Sequence, residues 1–189
     1  MNAANNQPGP GDRNPQRQSR PPRLYMRVGD RLHAAPEDVQ EAARRYPLIA
    51  EKGAVHGGKR LTILSPRTTF APNEDIHIIH VLEVVEPGHD VHIMGPKAVY
   101  GEYLDGTLFT APPPADTDPF RPGLYNGATL SSPAIDYNFD VTVYSFPAPG
   151  RHDFEWRVGA LHSNTLRIEV VENPRGIAAG SDAALPNRG

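Results

Sequence analysis

The sequence predicts an all-β fold, an antiparallel sandwich, and three observations carry that expectation. Residues 135–144 alternate strictly, with Ile135, Tyr137, Phe139, Val141 and Val143 on one side and Asp136, Asn138, Asp140, Thr142 and Tyr144 on the other. Turn signals recur at short intervals and no helical crossover separates the candidate strands, which argues against a parallel sheet. Of the 41 Leu, Ile, Val and Phe residues, 32 fall within 59–173, so one folded body carries polar extensions.

Residues 1–22 contain no Leu, Ile, Val or Phe and hold five prolines, so they cannot bury enough to offset their ordering entropy. A disordered arm is expected there, and a loose tail over 174–189. The lead-in, 23–58, should contain one short helix. Pro36 suits a first turn, Glu37 and Asp38 its positive end, and Val39, Ala42, Ala43 and Tyr46 recur on one face. Arg44 and Arg45 suit the other end, and Pro47 stops it.

The body, 59–173, reads as strands. Residues 61–64 form a short apolar run closed by Ser65-Pro66, and 76–85 form a longer β-branched run between Pro72-Asn73 and Pro87-Gly88. In the second, Ile76, Ile78, His80, Leu82 and Val84 share the side expected to face the core, while Ile79, Val81 and Val85 suggest cover on both faces. Residues 91–94 and 97–103 are shorter candidates. The alternating strand at 135–144 follows, with its polar side expected in water. Phe154, Trp156 and Val158, then Leu166, Ile168 and Val170, should form a closing hairpin with Trp156 in the core.

The order of parts over 62–171 resembles an immunoglobulin-like or fibronectin type III-like domain. The parts that carry the resemblance are Ser65-Pro66, Ala71-Pro72-Asn73-Glu74, and the closing segments Pro149-Gly150-Arg151-His152-Asp153-Phe154-Glu155-Trp156 and Ser163-Asn164-Thr165-Leu166-Arg167-Ile168-Glu169-Val170. The likeness spans about 60% of the chain and implies an immunoglobulin-like β-sandwich. The Cys and Trp core signature of antibody domains is absent, and the insertion at 105–127 departs from the compact pattern. A fold this permissive implies no function of its own.

Composition removes several classes of function. A net charge of -3 lacks the footprint of a general nucleic-acid binder. Zero cysteine excludes disulfides, thiolate zinc sites and a cysteine nucleophile, and fits a reducing, cytoplasmic setting. No run approaches the roughly 18 apolar residues of a membrane span, and the first residues lack a secretory apolar core. The Arg-rich, acid-poor start imitates a transit peptide, but its prolines oppose an amphipathic helix.

Four of the eight histidines lie in His77-Ile78-Ile79-His80 and His89-Asp90-Val91-His92. Residues three apart on a strand face opposite ways, so a metal could be held only by His77 with His89 or His92 across a hairpin. Solvent-facing histidines are the plainer expectation. Asp136, Asn138 and Asp140 open like a calcium loop but lack its glycine and closing acid. Asp116 and Asp118 sit in a proline-rich loop where two acids are usually solvated. No serine stands in a nucleophile elbow, and Gly57-Gly58-Lys59 is a turn, not a phosphate loop. No cofactor is expected.

The connection 105–127 is long for a compact domain and carries Pro112, Pro113, Pro114, Pro119 and Pro122. Leu108, Phe109, Phe120, Leu124 and Tyr125 either fold it back onto the body or form a recognition surface with Tyr100 and Tyr103. The function expected is a non-enzymatic protein-binding or assembly module, accessory or structural, acting on a protein partner or by self-association. The alternative is a small enzyme or ligand carrier using histidines such as His80 or His92. Carbohydrate binding through Tyr100, Tyr103 and Tyr144 is a third reading.

Overall fold

A computed structural model describes residues 23–121 and 127–172 of the 189. The expected arm at 1–22 and tail at 174–189 lie outside the described residues, as do Pro122, Leu124 and Tyr125. The described chain is mostly strand with one short helix. In order it runs β1 (Tyr25–Val28), β2 (Arg31–Ala34), α1 (Glu37–Arg45), β3 (Lys59–Leu64), β4 (Thr69–Phe70), β5 (Ile76–Val84), β6 (Asp90–His92) and β7 (Glu102–Leu104). It continues with β8 (Thr107–Leu108), β9 (Thr129–Ser131), β10 (Ala134–Asp136), β11 (Thr142–Tyr144), β12 (Gly150–Val158), β13 (Leu161–His162) and β14 (Leu166–Val170). Among the described residues no helix is long and apolar enough to cross a membrane.

Two larger sheets share one core. In the first, β5 is central, with β3 antiparallel on one edge and β10 and β11 dividing the other between them. In the second, β12 lies between β14 and β7, β8 extends β7, and β4 joins β14 in parallel. Leu61, Ile63, Ile78 and Leu82 from the first sheet meet Phe154, Trp156 and Ile168 from the second in one buried cluster. The closing hairpin forms as its alternation predicts, with Phe154 opposite Leu166 and His152 opposite Ile168.

The other face of β5 is also covered. Helix α1 starts with Glu37 and Asp38 and ends with Arg44 and Arg45, and it sets Val39, Ala42, Ala43 and the following Tyr46 against Leu64, Ile79 and Val81. That second layer explains why β5 is apolar on both sides. Gln40, on the same helix, is buried and bridges the open end of the β1–β2 pair. Its Oε1 accepts the Leu24 N–H at 2.9 Å, and its Nε2 donates to the carbonyls of Leu24 and Ala35 at 2.9 and 3.2 Å.

Two expectations need correction. The alternating run at 135–144 is not one strand but two, β10 and β11. Between them the Phe139 N–H turns back to the Tyr137 carbonyl at 2.9 Å, a γ-turn that interrupts the pairing and swings Phe139 alone out of the alternation. Ile135, Tyr137 and Val141 pack under the helix, while Asp136 and Tyr144, expected in water, are buried between the sheets. Phe139 joins that inter-sheet core and Val143 is left 38% exposed. The candidate strand 97–103 is also shorter than expected, because regular pairing begins at Glu102 and Lys97 makes only an isolated bridge to Phe139.

The connection at 105–127 opens as a tight hairpin. Asp105 and Gly106 both have positive φ, 49° and 78°, as a type I′ turn between β7 and β8 requires.

Gln40→Met keeps the length of the side chain but takes the acceptor from the buried Leu24 N–H and one donor from each of the Leu24 and Ala35 carbonyls. We expect a loss of about 2–3 kcal/mol in urea unfolding with the helical circular dichroism retained.

Candidate functional site

Among the described residues, charged side chains enter the inter-sheet space at two points. The first is Glu102 on β7, whose side chain has 0% exposure. Three groups from the facing sheet converge on its carboxylate. Tyr144 OH donates to Oε2 at 2.6 Å, Thr142 Oγ1 donates to Oε1 at 3.1 Å, and His80 Nε2 lies 3.1 Å from Oε1. Burial, then the Glu102 charge, hold the Tyr144 phenol well above the usual tyrosine value. His80 stands edge-on to Trp156 at 5.0 Å, and its Nδ1 is buried without a hydrogen-bond partner.

The second is Lys97, whose ammonium donates to Asp136 Oδ2 at 2.5 Å, to the His92 carbonyl at 2.8 Å and to the Met94 carbonyl at 3.3 Å. Burial pulls the ammonium below the usual lysine value, and Asp136 opposes that shift. Asn138 donates through its backbone N–H and its Nδ2 to Asp136 Oδ1, each at 2.9 Å. Asp140 pairs instead with Arg27 at 3.4 Å. The carboxylates that imitate a calcium loop are therefore committed to cations of the chain itself.

A third arrangement lies near the surface. His152 Nδ1 is 2.9 Å from Asp105 Oδ2, and its ring stacks on Phe146 at 3.5 Å. The Asp153 N–H donates to Asp105 Oδ1 at 2.8 Å. Partial burial raises the Asp105 carboxyl, but these two hydrogen bonds outweigh it and hold the group below its usual value. The pair latches the β7–β8 turn onto β12.

The histidines named as metal candidates do not converge. His77 lies at the start of β5, opposite Val143, and His89 lies past its end, with its ring against Gly58. The strand between them spans about 23 Å at roughly 3.3 Å per residue. His92 sits beside Asp136, which pairs with Leu82 toward that same far end. Among the described residues no group of three or more His, Asp or Glu is placed to hold a metal ion.

The aromatic candidates divide. Phe120 is in the core, edge-on to Phe139 and Trp156 at 6.3 and 6.0 Å, and so roots the connection. Phe109 is 61% exposed, with its ring 5.0 Å from Tyr144. Tyr100 and Tyr103 are half-buried, and the Arg157 guanidinium lies 4.4 Å over the Tyr103 ring. Tyr125 lies outside the described residues. Sequence reasoning missed Glu102 and His152. Nothing in the sequence flags Glu102, whereas the Asp105-Gly106 dipeptide is a hairpin signal that would have brought Asp105 next to β12.

Removing one partner of the buried ion pair strands the other. Lys97→Met should cost about 3–5 kcal/mol, and the double variant Lys97→Met with Asp136→Leu should recover most of it in the same denaturant titration.

Burial raises the phenols of Tyr46, Tyr137 and Tyr144, that of Tyr137 to about 12. The unfolded phenols ionise near pH ~10 while the native ones stay neutral, so stability holds below that pH and falls as pH rises above it. Tyr144→Phe should make that fall shallower, measured as the urea midpoint between about pH 8 and 11.

No family model, curated protein or solved structure matches the chain.

Proposed function

We propose that the chain is a non-enzymatic protein-binding or assembly module, a cytoplasmic accessory or structural subunit in which an immunoglobulin-like β-sandwich presents the 105–127 connection to a partner. Phe109 carries this reading. A phenyl ring 61% exposed follows Leu108, itself 38% exposed, on a support that holds both in place. The type I′ turn, the Asp105–His152 latch and the 2.8 Å bond from the Phe109 N–H to the Glu102 carbonyl fix the backbone beneath the ring. An apolar side chain already held in position loses little entropy on binding, and a rigid aromatic anchor is the usual centre of an interface. Against the enzyme alternative, His80 and Glu102 have no exposed side-chain surface from which to reach a substrate.

Phe109→Ser should leave the melting temperature unchanged while abolishing the complex seen by light scattering or by pull-down from the source cells. Phe120→Ala, in the core, should instead cost about 3–5 kcal/mol of stability. A wild-type chain that stays monomeric and recovers no partner, or a Phe109→Ser chain that binds undiminished, would overturn the reading.

A further inference from the structure

The described first part of the connection ends in a β-turn at 118–121. Asp118 stands at its first position and Pro119 at its second, the residues such a turn selects. The Arg121 N–H donates to the Asp118 carbonyl at 3.1 Å, and Asp118 Oδ1 accepts the Phe120 N–H at 2.9 Å. The turn sends Phe120 into the core and leaves Asp118 and Arg121 exposed at its two ends. Both line one cleft of about 330 Å³, together with Pro96, Tyr100, Pro114 and Pro119.

The walls of this cleft are fixed from behind. Trp156 Nε1 donates to the Tyr100 carbonyl at 2.8 Å, the Gly101 N–H donates to the Ala111 carbonyl at 3.0 Å, and Phe120 anchors the turn. Across a β-turn the end Cα atoms lie within about 7 Å, close enough for the two side chains to pair. They do not. Among the described residues neither Asp118 nor Arg121 enters an ion pair, although the charges of the outer face of β12 and β14 pair throughout, as Arg167 does with Asp153. Asp118 keeps Oδ2 for another donor, and Arg121 keeps its guanidinium fork.

An anion and a cation one turn apart, beside an aromatic ring and three prolines, are complementary to a small zwitterion with an apolar side chain. We propose that this cleft binds a free aromatic α-amino acid. Asp118 takes the ammonium, Arg121 takes the carboxylate through its paired N–H groups, and the ligand's ring lies against Tyr100 and the proline rings. The volume is at the small end of small-molecule sites, which suits one such metabolite. This site is separate from the Phe109 surface and does not depend on it.

The test is calorimetric titration of the full chain with L-phenylalanine, N-acetyl-L-phenylalanine and L-phenylalaninamide. The free amino acid should bind one to one. Each blocked analogue lacks one charge and should bind about tenfold more weakly or worse. Asp118→Asn keeps the oxygen that caps Phe120, so the turn survives. It should weaken L-phenylalanine about tenfold and leave the acetylated analogue unchanged, and Arg121→Gln should do the same for the amide. Phe109→Ser should leave every titration as it was. No saturation by L-phenylalanine at millimolar concentration, or equal binding of all three compounds, would overturn the proposal.

Discussion

A carboxylate with no solvent exposure must find its hydrogen-bond donors inside the protein, and Glu102 finds them on the opposite sheet. His80 comes from β5, and Thr142 and Tyr144 from β11, so one side chain of β7 ties the two layers together across their shared core. Apolar contacts between sheets are non-directional and would tolerate a slide of one layer over the other. Three groups aimed at two oxygens do not tolerate it, because any shift leaves a buried charge under-coordinated. The same residue fixes the start of the long connection through its backbone. Its N–H donates to Thr110 Oγ1 at 2.9 Å, and its carbonyl accepts the Phe109 N–H at 2.8 Å. Sheet registry and loop placement therefore share one anchor.

The edges of the first sheet and of the lead-in are handled by a related device. Asn164 reaches across to β3, where its Oδ1 accepts the Ile63 N–H and its Nδ2 donates to the Ile63 carbonyl, each at 3.0 Å. Gln40 does the same for Leu24. A carboxamide carries a donor and an acceptor side by side, as a peptide group does, so it can close a strand edge where no further strand is available. Exposed edges invite pairing with other chains, and a side-chain cap removes the invitation at little cost in chain length.

Much of this architecture is legible in the sequence, because burial of apolar side chains at period two leaves a plain pattern. The β12–β14 hairpin, the double cover of β5 and the helix under Val39 and Tyr46 all follow from such patterns. The pattern at 135–144 misleads for a physical reason. Alternation separates two faces but does not say which one is wet, and here the apolar face lies beneath a helix while the polar face enters the inter-sheet space. Asp136 is buried because Lys97, 39 residues earlier, meets it there. Glu102 illegibly resembles any strand acid, since its partners are brought to it by the fold and by nothing near it in the chain. His152 and Asp105, 47 residues apart, meet for the same reason, once a two-residue turn has folded β8 back on β7.

The length of the connection after β7 makes sense once its attachment points are counted in order. Asp105 is held by His152, Phe109 and Thr110 by Glu102, Ala111 by Gly101, and Phe120 by Trp156 and Phe139. Prolines at 112, 113, 114 and 119 lie between these points and reduce the number of conformations the unfolded chain would otherwise sample. A segment so attached behaves as an extension of the core through Arg121. Side chains that stay exposed on this support, Phe109 on one side and Asp118 and Arg121 on the other, are then displayed without the entropy that a loose loop would lose on meeting a ligand. Phe120 packs on Trp156, whose indole holds the Tyr100 carbonyl, so a change in Phe120 would reach the cleft beside Tyr100.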